Sequence, residues 1–122
     1  MPKNPTRPLR IGEEIRHALS EIFLRGETHI PVLDGASITV SEVRLSPDLR
    51  NATVFIMPLA GSNQADVMQA LGESGPYIRH LLAAKVALRY MPKLHYKLDQ
   101  SFEEAERVNS LLKKAEVARD LK

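Results

Sequence analysis

The chain has 122 residues, 43% hydrophobic and 26% charged, which suits one folded domain with one core and leaves too little chain for two. It has no cysteine, which excludes disulfides and thiolate chemistry, and its longest apolar stretch, 78–91, is too short for a membrane span and contains Arg79, Lys85 and Arg89. The net charge is +2, yet residues 74–97 hold five Lys/Arg and no acid, which fits either a solvated basic face or a phosphate-binding surface.

Residues 1–6, with Pro2 and Pro5, read as a flexible arm without the apolar core of a signal peptide, so the expected location is the cytoplasm. A helix is predicted from Arg7 to Arg25, because Ile11, Ile15, Ala18, Leu19, Ile22 and Phe23 recur at three- and four-residue spacing. Thr6 suits its N-cap and Gly26 its left-handed terminator. Residues 28–36, with Pro31, Asp34 and Gly35, read as a loop.

Ser37–Leu45 is predicted as a strand whose alternation slips phase, which places a bulge near Ser41–Glu42. After the turn Ser46-Pro47-Asp48-Leu49, the stretch Ala52–Leu59 is apolar at nearly every position, as expected of a strand covered on both faces or nearly so. The two strands should pair antiparallel. Asn63 and its neighbours offer a cap for a helix over Gln64–Leu71, with Val67, Met68 and Leu71 inward.

Ser74, Gly75 and Pro76 interrupt this helix and start a second one, predicted to run from Pro76 to Met91 as the other arm of a kinked pair. Pro92 ends it, and Leu94, Tyr96 and Leu98 alternate with polar residues in a third strand. Ser101 then caps a last helix over 101–122, with Phe102, Ala105, Val108, Leu111, Leu112 and Ala115 facing inward. The whole chain, 1–122, reads as one domain. The class is α+β: a three-stranded mixed sheet with helices on one side, a kinked central helix pair and a C-terminal helix. Its order is that of a type II KH-like domain.

Thr39 to Ile56 carries Val40, Ser41, Val43, Ser46, Asp48, Leu49, Ala52 and Val54 in a register similar to the two-strand signature of the ribosome-binding factor A family. Arg7-Pro8-Leu9-Arg10-Ile11 resembles the family's opening, Ile78-Arg79-His80-Leu81-Leu82 its long helix, and Arg89-Tyr90-Met91-Pro92-Lys93-Leu94 the proline-terminated end of that helix. Asp99-Gln100-Ser101 resembles the segment after the last strand, so the likeness spans about residues 7 to 112. Ser74-Gly75-Pro76 stands where the family often has Ala-x-Gly. The resemblance implies a factor that binds the free 30S small ribosomal subunit. It implies further that the factor assists late maturation and 5′-end processing of 16S rRNA, mattering most at low temperature.

On the residues themselves, RNA binding is assigned to Arg7, Arg10, Arg79, Lys85, Arg89, Lys93 and Lys97, with Lys85 and Arg89 on one face of the second central helix. Gly72-Glu73-Ser74-Gly75 spells the Gly-x-x-Gly of a backbone-clamping loop, but Glu73 within it would repel phosphate, and a helix break is the better reading. Tyr77, Tyr90 and Tyr96 are taken as packing residues, so recognition should rest on RNA backbone and shape. His17, His29, His80 and His95 lack metal-ligand spacing, and no nucleophile elbow or phosphate-cradling loop occurs. A non-enzyme is therefore expected: monomeric, without cofactor, metal, small-molecule substrate or membrane partner. A KH-like binder of messenger or small regulatory RNA and a protein adaptor remain the alternatives.

Overall fold

The computed structural model describes residues 6–58, 63–100 and 107–114. The first helix, α1, spans Thr6–Leu24 and buries Ile11, Ile15, Ala18, Leu19, Ile22 and Phe23 along one stripe, as their spacing requires. It ends in a Schellman turn: Glu27 N–H donates to the Ile22 carbonyl (3.0 Å) and Gly26 N–H to that of Phe23 (3.3 Å). Gly26 has φ 63°, a value cheap only for glycine.

The expected loop over 28–36 contains a short helix, α2 (Pro31–Asp34), because Pro31 presets its first turn and Leu33 is buried. The sheet consists of β1 (Thr39–Leu45), β2 (Asn51–Met57) and β3 (Lys93–Leu98), in that spatial order. β1 and β2 pair antiparallel, and the register shifts between Val40 and Glu42, at the expected bulge. The Oγ of Ser41, left without a ladder partner, lies 2.6 Å from Asp99 Oδ2 and 3.3 Å from the Phe55 carbonyl, tying β1 to the end of β3. β3 runs parallel to β2, with Asn51 opposite Lys93 and Ile56 opposite Leu98.

β2 corrects one expectation. Ala52, Val54 and Ile56 are fully buried, while Thr53, Phe55 and Met57 are only half-buried. Among the described residues no second layer covers the other face of the sheet, and the apolar side chains there reflect strand propensity. The helices α1, α3 (Gln64–Glu73) and α4 (Gly75–Ala83) share one core with the opposite face. Asn63 caps α3 by accepting from Asp66 N–H (3.3 Å). α1 approaches β1 so closely that a Cβ on Gly12 would lie 2.5 Å from the Val43 carbonyl oxygen.

Ser74 separates α3 from α4, with φ −96° and ψ 7°. Pro76 has no N–H to donate and its ring crowds the carbonyl four residues back, so the two helices do not merge. α4 stops at Ala83, eight residues short of the predicted Met91. Residues 84–92 instead fold back so that Val86 is buried and Leu88 and Met91 pack on the core before β3 starts. Helix-friendly composition yields here to tertiary packing.

Residues 107–114 form a further helix, α5. Its apolar residues do not face inward as expected: Val108, Leu111 and Leu112 are 53–59% exposed. The predicted inward residues Phe102, Ala105 and Ala115, and the proposed cap Ser101, lie outside the described residues, as does most of the N-terminal arm. Among the described residues no helix is long and apolar enough to cross a membrane.

Candidate nucleic-acid interface

Three stretches meet at the end of the sheet where β2 and β3 begin. The first is the start of α1, where Arg7 and Arg10 are exposed. The second is the turn between β1 and β2. Ser46 Oγ donates to Asp48 Oδ1 (2.6 Å), and Arg50 N–H donates to the same oxygen (3.1 Å). Ser46 Oγ also accepts from Asn51 N–H (3.0 Å). The Ser46 hydroxyl first, then the Arg50 amide, hold the Asp48 carboxyl below the usual carboxylate range, so it stays an acceptor-only anion. Leu49 sits in the left-handed region at φ 62°, a strained setting for a branched side chain.

The third stretch is the fold-back segment 84–92. Arg79 Nη2, from α4, donates to the Met91 carbonyl (3.0 Å) and fastens the segment to the helix. Lys93 N–H donates to the Arg50 carbonyl (2.8 Å) and joins it to the turn. Between the three stretches lies an open cleft of about 520 Å³. Arg7, Arg50, Arg89, Tyr90 and Asp48 line it above apolar residues that include Ile11, Leu49 and Leu88. The Arg89 guanidinium lies 5.6 Å from the centre of the Tyr90 ring, and Tyr90 is 77% exposed.

The residues assigned from sequence therefore separate. Arg7 and Arg89 meet in the cleft, and Arg79 borders it through Met91. Arg10 is exposed on α1 without lining the cleft. Lys93 and Lys97 are exposed on the open face of β3, beside His95, whose Nε2 pairs with Asn51 Oδ1 at 2.9 Å. On the same face, Arg44 stacks over Phe55 at 5.2 Å.

Lys85 does not share a face with Arg89, because the helix has ended before either residue. Its ammonium lies 3.1 Å from Glu27 Oε2 and 3.5 Å from Glu21 Oε1, and only 23% of the side chain is exposed. Glu27 Oε2 is buried without a well-oriented hydrogen bond, so Lys85 is what offsets its charge. Lys85 is thus a structural cation at the far end of α1. The tyrosines also depart from expectation: Tyr96 is packed, its phenol pushed well above the ordinary range by burial, but Tyr77 and Tyr90 are exposed.

Sequence reasoning missed Arg50, Asp48 and Tyr90 as cleft residues. Arg50 sits in the stretch 27–73, which is acidic on balance, so charge counting passed over it. The available signal was its place in a tight turn, since rigidly positioned loops often carry binding residues. Gly72 lies within α3 and Gly75 opens α4, and a Cβ on either would meet open space. Among the described residues no group of three or more His, Asp and Glu could hold a metal ion.

Comparison with known proteins gives a consistent result. The family model described as Ribosome-binding factor A matches residues 7–112. Ribosome-binding factor A of Rhodopseudomonas palustris (strain BisB18) is 46% identical over 120 residues, covering 98% of this chain and 88% of the relative. The fold resembles the crystal structure of ribosome-binding factor A from Thermus thermophilus, with a TM-score of 0.63 and 23% identity, over 75% of this chain and 94% of that one. It also resembles a homology model of the Thermus thermophilus factor as fitted into the cryo-EM map of a 30S complex with that factor, with a TM-score of 0.59 and 23% identity, over 73% and 91% of the two chains.

Proposed function

The chain belongs to the ribosome-binding factor A family, and from that premise we propose that it binds the free 30S ribosomal subunit through its basic cleft and acts on the subunit's assembly. The observation that carries this reading is the meeting of Arg7, Arg50 and Arg89 in one cleft from three separate stretches of chain. Phosphate contacts supply most of the affinity of a nucleic-acid interface, and a clustered cation field steers encounter. That a protein with this fold has been placed in the map of a 30S complex supports the subunit as the partner.

The finer function follows the family resemblance: the protein, acting as a monomer in the cytoplasm, assists late maturation and 5′-end processing of 16S rRNA, chiefly in the cold. It works by binding one conformer of the rRNA more tightly than another, since only differential affinity shifts an equilibrium. Sedimentation of cell lysate, with and without high salt, tests this. Co-migration with free small subunits, absence from translating ribosomes and release at high salt are the expected results. Migration near the top of both gradients would overturn stable subunit binding. A complex that survives nuclease treatment would point to a protein partner instead.

A further inference from the structure

The cleft is more elaborate than phosphate binding requires. Exposed cations on a flat face serve a duplex backbone, whose bases remain stacked out of reach. Here the cations rim a hollow of about 520 Å³, within the size range of pockets that enclose a small ligand. Its lining by Ile11, Leu49 and Leu88 favours an apolar, flat occupant. The Arg89 guanidinium lies over the Tyr90 ring, and the residue is still 77% exposed, so ring surface is available for stacking.

Asp48 completes the pattern. An acid among arginines opposes phosphate, yet it suits the exocyclic amino group of a base. Both of its hydrogen bonds use Oδ1, which leaves Oδ2 as a further acceptor on a residue that lines the cleft. From these features we infer that the cleft receives one unpaired nucleotide of RNA. Its base stacks on Tyr90 and donates an amino proton to Asp48, and its flanking phosphates lie between Arg7 and Arg50. This rests on the RNA-binding reading above and adds a preference for a base turned out of the helix.

The test compares two fluorescent RNA hairpins of nearly equal charge, one fully paired and one with a single bulged adenosine, against the full chain. The wild type should bind the bulged hairpin more tightly, by about five-fold or more, the usual scale of one aromatic stack. Tyr90→Ala should abolish that preference, bringing the affinities for the two hairpins within about two-fold of each other, and Tyr90→Phe should retain it. Equal affinity of the wild type for the two hairpins, or binding of neither, overturns the pocket even if small-subunit binding persists. A bulge preference that survives Tyr90→Ala also overturns it. Loss of small-subunit binding with the bulge preference intact would instead overturn the functional reading and leave the pocket standing.

Discussion

At the residue scale, the basic side chains divide by what lies beside them. Lys85 faces Glu21 and Glu27, whereas Arg89 lies beside Tyr90 and lines the open cleft. Opposite phenotypes follow. Lys85→Ala should destabilise the fold by about 1–2 kcal/mol, between the values of exposed and buried pairs, and leave RNA affinity intact. Arg89→Ala should leave the melting temperature nearly unchanged and weaken RNA binding. Thermal unfolding and hairpin binding on both variants check this, and a Lys85→Ala protein of normal stability and weakened binding would reverse the assignment. Some residue roles were legible beforehand, because they depend on local chemistry. Gly26 stood where a helix must turn left-handed, and the phase slip at Ser41–Glu42 fixed the bulge. The role of Lys85 was not legible, because Glu21 and Glu27 reach it only through the tertiary fold.

At the element scale, apolar spacing identified α1, α3, β1 and β3, since each turns a stripe or alternate residues toward one core, whereas β2 was identified by its β-rich, nearly continuous apolar run. Spacing says less about where a helix stops. Ala83 and Ala84 favour continuation, but the chain must fold back under Met91 to begin β3 beside β2. For α5 the apolar spacing was real, yet Val108, Leu111 and Leu112 are exposed among the described residues, an outcome periodicity cannot distinguish from burial. The break between α3 and α4 yields a prediction. Neither Gly72 nor Gly75 adopts a positive φ, and a methyl group on either would meet open space. Gly72→Ala and Gly75→Ala should therefore each stabilise the protein by about 0.5–1 kcal/mol through lower unfolded-state entropy and better helix propensity. RNA affinity should not change if the segment only breaks the helix. Denaturant unfolding paired with hairpin binding decides the matter, and a large loss of affinity would make these glycines a backbone clamp.

At the scale of the whole molecule, charge density along the chain differs from charge density on the surface. The basic stretch 74–97 scatters: Lys85 enters ion pairs, Arg79 fastens a loop, and Lys93 and Lys97 lie on the open sheet face. The cleft instead gathers Arg7, Arg50 and Arg89 from three distant segments. Of these three, only Arg50 escaped the sequence reading, because the stretch around it is acidic while its neighbours across the cleft are Arg7 and Arg89. The presence of a basic surface was therefore legible, and which arginines share a cleft had to wait for the fold.

The most direct measurement is the affinity of purified free small subunits for two doubly charge-reversed proteins. One carries Arg50→Glu and Arg89→Glu in the cleft, and the other Lys113→Glu and Lys114→Glu on exposed α5, an identical change in net charge. Cleft reversal should weaken binding by about tenfold or more and lower the slope of log affinity against log salt by about two, with thermal stability preserved. The α5 control should stay within about two-fold of wild type, as bulk charge alone is a weak, screened effect. Equal losses in the two proteins, or an unaffected cleft variant, would contradict the cleft as the site of small-subunit binding.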